Sequence, residues 1–124
     1  MKGIKNIILL AFIAVLAACG SAQKDARSSN GGTISPQEFQ TKITNGEVTL
    51  LDVRTPDEYA TNHIKGADNV NVRDASFGDK IALLDKSKPV LVYCKSGNRS
   101  STAKTAIQTL GYTVYELEGG VLNW

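Results

Sequence analysis

Two short runs of mainly apolar residues restrict the possible folds of this chain more than any other feature. Residues 48–53 (VTLLDV) and 89–93 (PVLVY) have the length of β-strands, and neither alternates regularly between apolar and polar side chains. Such runs are typical of strands that are covered on both faces, as in a parallel sheet packed between helices. We therefore expect strands that alternate with helices, which is the arrangement of the α/β class.

Helix signals lie between and around these runs. Residues 35–38 (SPQE) and 55–58 (TPDE) each combine a hydroxyl N-cap, a proline at the first helical position and a glutamate three residues after the cap. Apolar residues at helical spacing predict two further helices, over residues 77–84 and from residue 99 or 100 to residue 110. Gly111 is placed to end the last of these helices.

Weaker strand patterns at residues 69–72 and 114–117 complete the alternation. A chain of 124 residues ordinarily forms at most one domain. The patterned segment begins at residue 33 and continues to residue 124. We therefore predict a single small α/β domain over residues 33–124, with a parallel sheet covered by helices on both faces.

The N-terminal segment has a different character. Lys2 and Lys5 precede an unbroken apolar run over residues 7–18, which is shorter than the roughly 20 apolar residues that a membrane-spanning helix needs. A basic start, a short apolar core and small residues at its end describe a secretory signal peptide over residues 1–18. Residues 16–19 (LAAC) resemble the lipobox of bacterial lipoproteins, which implies that Cys19 is acylated and becomes the mature N-terminus.

A polar segment separates Cys19 from the predicted domain. Residues 20–32 (GSAQKDARSSNGG) are small or polar and show no periodicity, so residues 19–32 are predicted to be a lipidated cysteine and a flexible tether. A buried N-terminal helix is the alternative, and this segment disfavours it. Because two or three acyl chains give stable anchoring, we expect a lipid-anchored protein of the bacterial cell envelope, on the periplasmic side or the cell surface.

Charge and cysteine content exclude several function classes. The 14 basic and 12 acidic residues give a net charge of +2 without a clustered basic face, so no nucleic-acid partner is expected. Two cysteines cannot build the disulfide framework of a small secreted scaffold. With His63 as the only histidine, they cannot complete a four-ligand zinc site either. We predict no metal and no cofactor, and we expect a monomer.

Cys94 is the residue that points most directly to chemistry. It follows the apolar run directly, and sites in open α/β sheets form at the carboxyl ends of strands. Since Gly97 can adopt a positive φ, the loop can curl so that its backbone N–H groups point inward and favour a thiolate. Lys95 and Arg99 would add positive charge. An inert core cysteine is the alternative, which the polar neighbours of Cys94 disfavour.

An ordered set of short motifs resembles the rhodanese-like (thiosulfate sulfurtransferase) family, and the resemblance covers residues 33–124. The motifs are residues 50–54 (LLDVR), 58–59 (EY), 63–67 (HIKGA), 69–70 (NV), 94–100 (CKSGNRS) and 118–120 (EGG). This resemblance implies a five-stranded parallel sheet flanked by helices and a cysteine that carries a persulfide. No cofactor is implied.

The resemblance also implies a role for individual residues. Cys94 matches the persulfide-forming nucleophile, and Asp52 and Arg54 match a strand-end pair that supports the loop. The implied reaction is an attack of the thiolate on a donor such as thiosulfate, followed by transfer of the sulfur to a thiol or cyanide acceptor. The implied substrate-binding loop consists of Lys95, Ser96, Gly97, Asn98, Arg99 and Ser100.

Two other functions share this loop. Cysteine-based phosphatases and arsenate reductases use a loop that resembles Cys-x5-Arg, whereas here Cys94 and Arg99 enclose four residues, so the tighter loop favours a sulfur atom over a phosphate. A persulfide carrier without turnover, or an envelope interaction module, is the other alternative. His63 is expected to be structural, because nothing in the sequence places it near Cys94.

Overall fold

The computed structural model describes residues 30–124. The strands are β1 (Gly31–Ile34), β2 (Thr49–Asp52), β3 (Asp68–Asn69), β4 (Val90–Tyr93) and β5 (Val114–Leu117). The helices are α1 (Pro36–Asn45), α2 (Pro56–Thr61), α3 (Phe77–Ile81) and α4 (Asn98–Thr109), and a 3-10 helix (Gly120–Asn123) follows β5. All neighbouring strands are parallel, in the order β1-β5-β4-β2-β3. The predicted α/β class and the five-stranded parallel sheet are confirmed.

Strand β4 lies in the middle of the sheet, and its position explains its apolar sequence. Val90 and Val92 pack in one core with residues of α3 and α4. Leu91 and Tyr93 pack in a second core on the other side with α1. All four side chains are fully buried, and each apolar one stabilises the fold by about 1.5–3 kcal/mol. Because both faces are covered, the chain is rigidly held up to the residue that follows the strand.

The two predicted helix caps are present. The Ser35 hydroxyl accepts the Glu38 N–H at 3.2 Å at the start of α1. Thr55 and Glu58 form a reciprocal capping box at the start of α2. A cap of this kind stabilises a helix by about 1 kcal/mol. The cap of α2 also fixes the direction of the Glu58 side chain, which matters for the site described below.

The helix predicted over residues 77–84 and the strand predicted over residues 69–72 are both shorter in the structure. Helix α3 ends at Ile81, because the following N–H groups of Leu83 and Leu84 bind carbonyls three residues back and tighten the turn. Leu84 nevertheless packs against the core, which is why its spacing resembles a longer helix. Strand β3 has two residues, although the N–H groups of Val70 and Val72 continue to bind carbonyls at the end of β2 and just beyond it.

The predicted tether boundary at residue 32 is wrong, because Gly31 and Gly32 belong to β1 and pair with β5. Gly31 has a φ of +87°, and a Cβ there would lie 1.9 Å from the Val114 carbonyl oxygen. This close approach requires glycine, and a pair of glycines resembles a linker in sequence. Residues 31 and 32 therefore belong to the sheet.

The predicted signal peptide, Cys19 and the first part of the predicted tether lie outside residues 30–124. Within residues 30–124, no helix is both long enough and apolar enough to cross a lipid bilayer.

The contact between Gly31 and Val114 can be tested by a matched pair of substitutions. Gly31→Ala combines a positive φ with a backbone clash, and we expect it to lower the free energy of unfolding by roughly 2–4 kcal/mol. Gly32→Ala is the control, because a Cβ at Gly32 meets nothing within 4 Å, and it should change stability by less than about 1 kcal/mol. Urea denaturation measures both; equal losses would contradict the placement of β1.

Candidate active site

Cys94 lies at the carboxyl edge of the sheet, directly after β4, in the short loop that leads into α4. The next strands on either side are β2 and β5, so the segments that follow those two strands form the walls around the loop. Cys94 is only 1% exposed. Its position is therefore fixed by the centre of the sheet, and its surroundings are fixed by the two neighbouring strand ends.

The Cys94 sulfur is surrounded by hydrogen-bond donors of its own loop. The Gly97 N–H donates to Sγ at 3.0 Å, and the Ser100 Oγ lies 3.3 Å from Sγ. This geometry depends on Gly97, whose φ of +116° turns the chain into α4. The helix begins at Asn98, one residue earlier than predicted, and its N-terminus adds a positive partial charge next to the sulfur.

These contacts change the acidity of the thiol. Burial alone raises the pKa of Cys94, but hydrogen bonds from the Ser100 side chain and from the N–H groups of Ser96, Gly97 and Ser100 outweigh it and lower the pKa below its ordinary value. Hydrogen bonds to the charged form favour that form. The loop thus favours a thiolate, which is the nucleophilic state of cysteine.

The carbonyl groups of the loop are bound on the opposite side by the 3-10 helix. The Val121 N–H donates to the Cys94 carbonyl at 2.8 Å, and the Leu122 N–H donates to the Lys95 carbonyl at 3.1 Å. Gly120 permits this contact, because it has a φ of +67° and a Cβ there would lie 2.4 Å from the Lys95 carbonyl oxygen. The loop carbonyls are held outward, so the loop N–H groups face the sulfur.

The sequence suggested that Arg99 adds positive charge at the sulfur, but in the structure this charge is paired with a carboxylate. Its guanidinium forms two hydrogen bonds to the Glu58 carboxylate, at 2.6 and 3.0 Å. This contact raises the pKa of Arg99 and, together with Thr55, holds the pKa of Glu58 at about 2. Glu58 was not predicted as a site residue, since its capping box already gave it a local explanation.

Asp52 and Arg54 form a buried ion pair at the end of β2, at 2.6 Å. Arg54 also donates to the Asn62 carbonyl at 2.7 Å, and Asn69 donates to the carbonyls of Asp52 and Arg54. The hydrogen bond to Asp52 outweighs burial and raises the pKa of Arg54. The pair thus stabilises the segment that carries Glu58. Because Glu58 binds Arg99 of the loop, the pair supports the loop indirectly.

A surface depression of about 340 Å³ lies beside the loop. Arg54, Asn62, Lys95 and Leu122 are among the residues that line it. Lys95 is exposed, so its ammonium group can meet a small anion that enters from solvent. Lys95 is the loop cation best placed for that contact, because Arg99 is paired.

The remaining predicted residues occupy separate places. Ser96 and Asn98 are exposed in the loop. His63 is also exposed, and its ring stacks on Tyr59 with the centroids 3.8 Å apart, an arrangement typical of a structural contact. Within residues 30–124, no three His, Cys, Asp or Glu side chains cluster closely enough to hold a metal ion.

Glu116 was also missed by the sequence reasoning. It lies in β5, is 5% exposed, and its Oε2 is 2.5 Å from the Ser100 hydroxyl. Its other oxygen forms an ion pair with Lys104 at 3.0 Å. The available signal was a single carboxylate inside an otherwise apolar strand, because such a group is costly to bury without a partner.

The fold and the site together define a class of protein: an open parallel α/β domain that presents a cysteine at the carboxyl end of its central strand, in a loop that lowers the pKa of its thiol. The chain belongs to the Rhodanese-like domain family, which matches residues 35–124. The resemblance stated from the sequence motifs is therefore confirmed.

Individual relatives agree with this assignment. GlpE of Pseudomonas fluorescens, named a thiosulfate sulfurtransferase, is 35% identical over 92 residues, which are 73% of this chain and 82% of GlpE. MoeZ of Mycobacterium tuberculosis, named a probable adenylyltransferase/sulfurtransferase, is 33% identical over 109 residues, or 86% of this chain, but the match spans 28% of MoeZ. The crystal structure of a rhodanese-related protein from Thermoplasma volcanium has a TM-score of 0.66 at 29% identity and covers 74% of this chain and 88% of its own.

The Glu58–Arg99 pair predicts a specific acid sensitivity. Because the pKa of Glu58 lies at about 2 in the folded protein against an ordinary 4.5, the stability that this pair contributes is fully present above pH 4.5 and is lost as the pH falls towards 2. Glu58→Gln should be less stable than the parent at neutral pH and should lose less stability over that acid range.

Thermal unfolding followed across this pH range measures the effect. Asp57→Asn is the control, because Asp57 is an exposed acid of the same helical turn and its removal leaves the Arg99 pair intact. If Glu58→Gln and the parent declined in parallel with falling pH, the pair would not be the source of the acid sensitivity.

Proposed function

We propose that this protein is a sulfurtransferase that carries a sulfane sulfur on Cys94 as a persulfide. The proposed donor is a small anion such as thiosulfate, and the proposed acceptor is a thiol or cyanide. The observation that carries the proposal is the Cys94 sulfur itself, which is buried, bound by a loop N–H group and lowered in pKa. Family membership and a relative named thiosulfate sulfurtransferase support the same reaction.

The first half-reaction begins with the thiolate. Cys94 attacks the outer sulfur of thiosulfate, a new S–S bond forms, and the bond to the sulfonyl sulfur breaks, so that sulfite leaves with the electron pair. The product on the enzyme is a persulfide with its negative charge on the terminal sulfur. The N-terminus of α4 lies next to the Cys94 sulfur, and its partial positive charge would stabilise that anionic terminal sulfur.

The second half-reaction restores the thiolate. A nucleophilic acceptor attacks the terminal sulfur, its bond to Cys94 breaks, and the cysteine leaves as a thiolate in the site that favours that state. Each half-reaction is a displacement at sulfur, and the acceptor takes up the sulfur that the donor supplied. The exposed Lys95 in the neighbouring depression would attract the anionic donor.

Phosphate chemistry is disfavoured by two contacts. The Gly97 N–H already binds the Cys94 sulfur at 3.0 Å, and the loop has four residues between Cys94 and Arg99 where the phosphatase loop has five, so it offers fewer N–H groups to the oxygens of a phosphate. Arg99, which would be needed to hold such an oxyanion, is bound to Glu58 through both of its terminal nitrogens. Sulfur transfer therefore fits the site better than phosphoester or arsenate chemistry.

The decisive test is persulfide formation on Cys94. Mass spectrometry after exposure to thiosulfate should show the added mass of one sulfur atom on Cys94, and cyanide should remove it as thiocyanate. Cys94→Ser should lower thiocyanate formation by roughly 10³-fold or more. Cys19→Ser is the matched control, because it makes the same substitution at the other cysteine, and it should retain activity.

Other outcomes distinguish the alternatives. A persulfide that forms once but does not turn over with cyanide or thiols would identify a carrier. Rapid phosphatase turnover without thiocyanate would overturn the proposal. Thiosulfate, polysulfide and mercaptopyruvate compared side by side as donors would define the donor class.

We also propose that the protein is a lipoprotein anchored to a membrane of the bacterial cell envelope through Cys19, with signal peptide 1–18 removed. The proposal rests on the lipobox-like residues 16–19 (LAAC) after a short apolar run. In detergent phase partitioning, protein from the native host should enter the detergent phase, and Cys19→Ser should move it to the aqueous phase. Recovery of the parent protein in the aqueous phase would contradict the anchor.

A further inference from the structure

The Ser100 hydroxyl lies within hydrogen-bonding distance of three groups. Its Oγ is 3.3 Å from the Cys94 sulfur, 2.5 Å from Glu116 Oε2 and 3.2 Å from the Gly97 carbonyl oxygen. Ser100 is completely buried and Glu116 is 5% exposed. Since a hydroxyl has one proton, Ser100 can donate to only one of these groups at a time.

Glu116 is held in position to compete for that proton. Lys104 lies 3.0 Å from Glu116 Oε1, and the Thr33 hydroxyl donates to the same oxygen at 3.2 Å. The second oxygen, Oε2, is therefore directed at Ser100. The short Ser100–Glu116 distance is typical of a hydrogen bond from a hydroxyl to an ionised carboxylate.

The hydrogen bonds that join Cys94, Ser100 and Glu116 have different directions in the thiol and thiolate states of Cys94. When Ser100 donates to Glu116, its lone pairs face the sulfur and accept the Cys94 S–H. When Cys94 is a thiolate, the Ser100 hydroxyl must donate to the sulfur instead. When the thiol ionises, its proton is released to solvent and the Ser100 hydroxyl turns from Glu116 Oε2 to the sulfur, with no change in oxidation state.

We infer that Glu116 is a positioning residue for Cys94. Its hydrogen bond with the Ser100 hydroxyl determines whether that hydroxyl accepts a hydrogen bond from the Cys94 thiol or donates one to the thiolate. Glu116, which lies in the neighbouring strand β5, thereby influences the thiolate fraction of Cys94. The inference deepens the proposed function, since it rests on Cys94 as the reacting group.

In the described part of the protein, few other charged groups lie near Cys94, Ser100 and Glu116. From α4, Lys104 binds Glu116 and Arg99 lies at the helix start, where it is paired with Glu58. From β1, Thr33 contributes a neutral hydroxyl. The backbone donor of Gly97 remains on the sulfur in both states. Glu116 is thus the carboxylate that acts on Ser100 directly.

The test is a titration of the Cys94 thiolate by its ultraviolet absorbance, in the full chain with Cys19→Ser and without any sulfur donor. In Glu116→Gln the Ser100 hydroxyl is released towards the sulfur, so the thiolate fraction on the acidic side of the transition should rise roughly tenfold, as expected for a hydrogen bond to a charged group. In Ser100→Ala the thiolate loses a donor, and that fraction should fall.

The double variant decides whether Glu116 acts through Ser100. In the Ser100→Ala background, Glu116→Gln should produce less than half of the shift in titration midpoint that it produces alone. Half of that shift or more would mean that Glu116 acts by charge across space, and would overturn the inference. Glu118→Gln, the same change at an exposed position two residues further on, should leave the titration unchanged.

A second variant keeps the test valid if Glu116→Gln does not fold. Lys104→Met leaves Glu116 without its cation, so the carboxylate holds the Ser100 proton more strongly and the thiolate fraction should fall. No change in Lys104→Met would overturn the inference. The pH profile of kcat/KM for thiosulfate should shift with the thiolate titration. Because the titration needs no turnover, a protein without sulfurtransferase activity would contradict the proposed function and leave this measurement intact.

Discussion

The hydrogen bonding of one short loop, between β4 and α4, is the constraint on which the site depends. Its carbonyl groups are bound from outside by the N–H groups of Val121 and Leu122, and the Gly97 N–H turns inward to the Cys94 sulfur. Backbone groups that are removed from water have to find hydrogen-bond partners within the protein. Here the chain after β5 binds the Cys94 and Lys95 carbonyls, while the Gly97 N–H stabilises charge on the sulfur.

The sheet order explains why such a loop can be held so firmly. Strand β4 is central and covered on both faces, and Tyr93 at its end accepts the Ile64 N–H at 3.0 Å, which joins it to the segment after α2. Segments from β2 and β5 then approach the loop from either side. The thiol is therefore positioned by long-range packing, whereas its acidity is set by a few local donors.

The fold and Cys94 could be predicted because their signals are local. Apolar runs, helix caps and a cysteine directly after a strand are visible within a few residues. Strand β1 was not visible, since the contact of Gly31 with Val114 selects glycine across the sheet. The pairing of Glu58 with Arg99 spans 41 positions, and only the assembled strand order brings the two side chains together.

Charge pairing around the loop has a chemical consequence. Arg54 is bound to Asp52, Arg99 to Glu58 and Lys104 to Glu116, so each of these cations is matched by a carboxylate. The charge on the sulfur is then stabilised mainly by neutral N–H dipoles and by the Ser100 hydroxyl. A bare cation against the sulfur would bind any small anion that entered the site, and in the proposed reaction it would retain the anionic leaving group. Fixed dipoles stabilise charge at one place in the loop, so this arrangement favours an anionic sulfur without that retention.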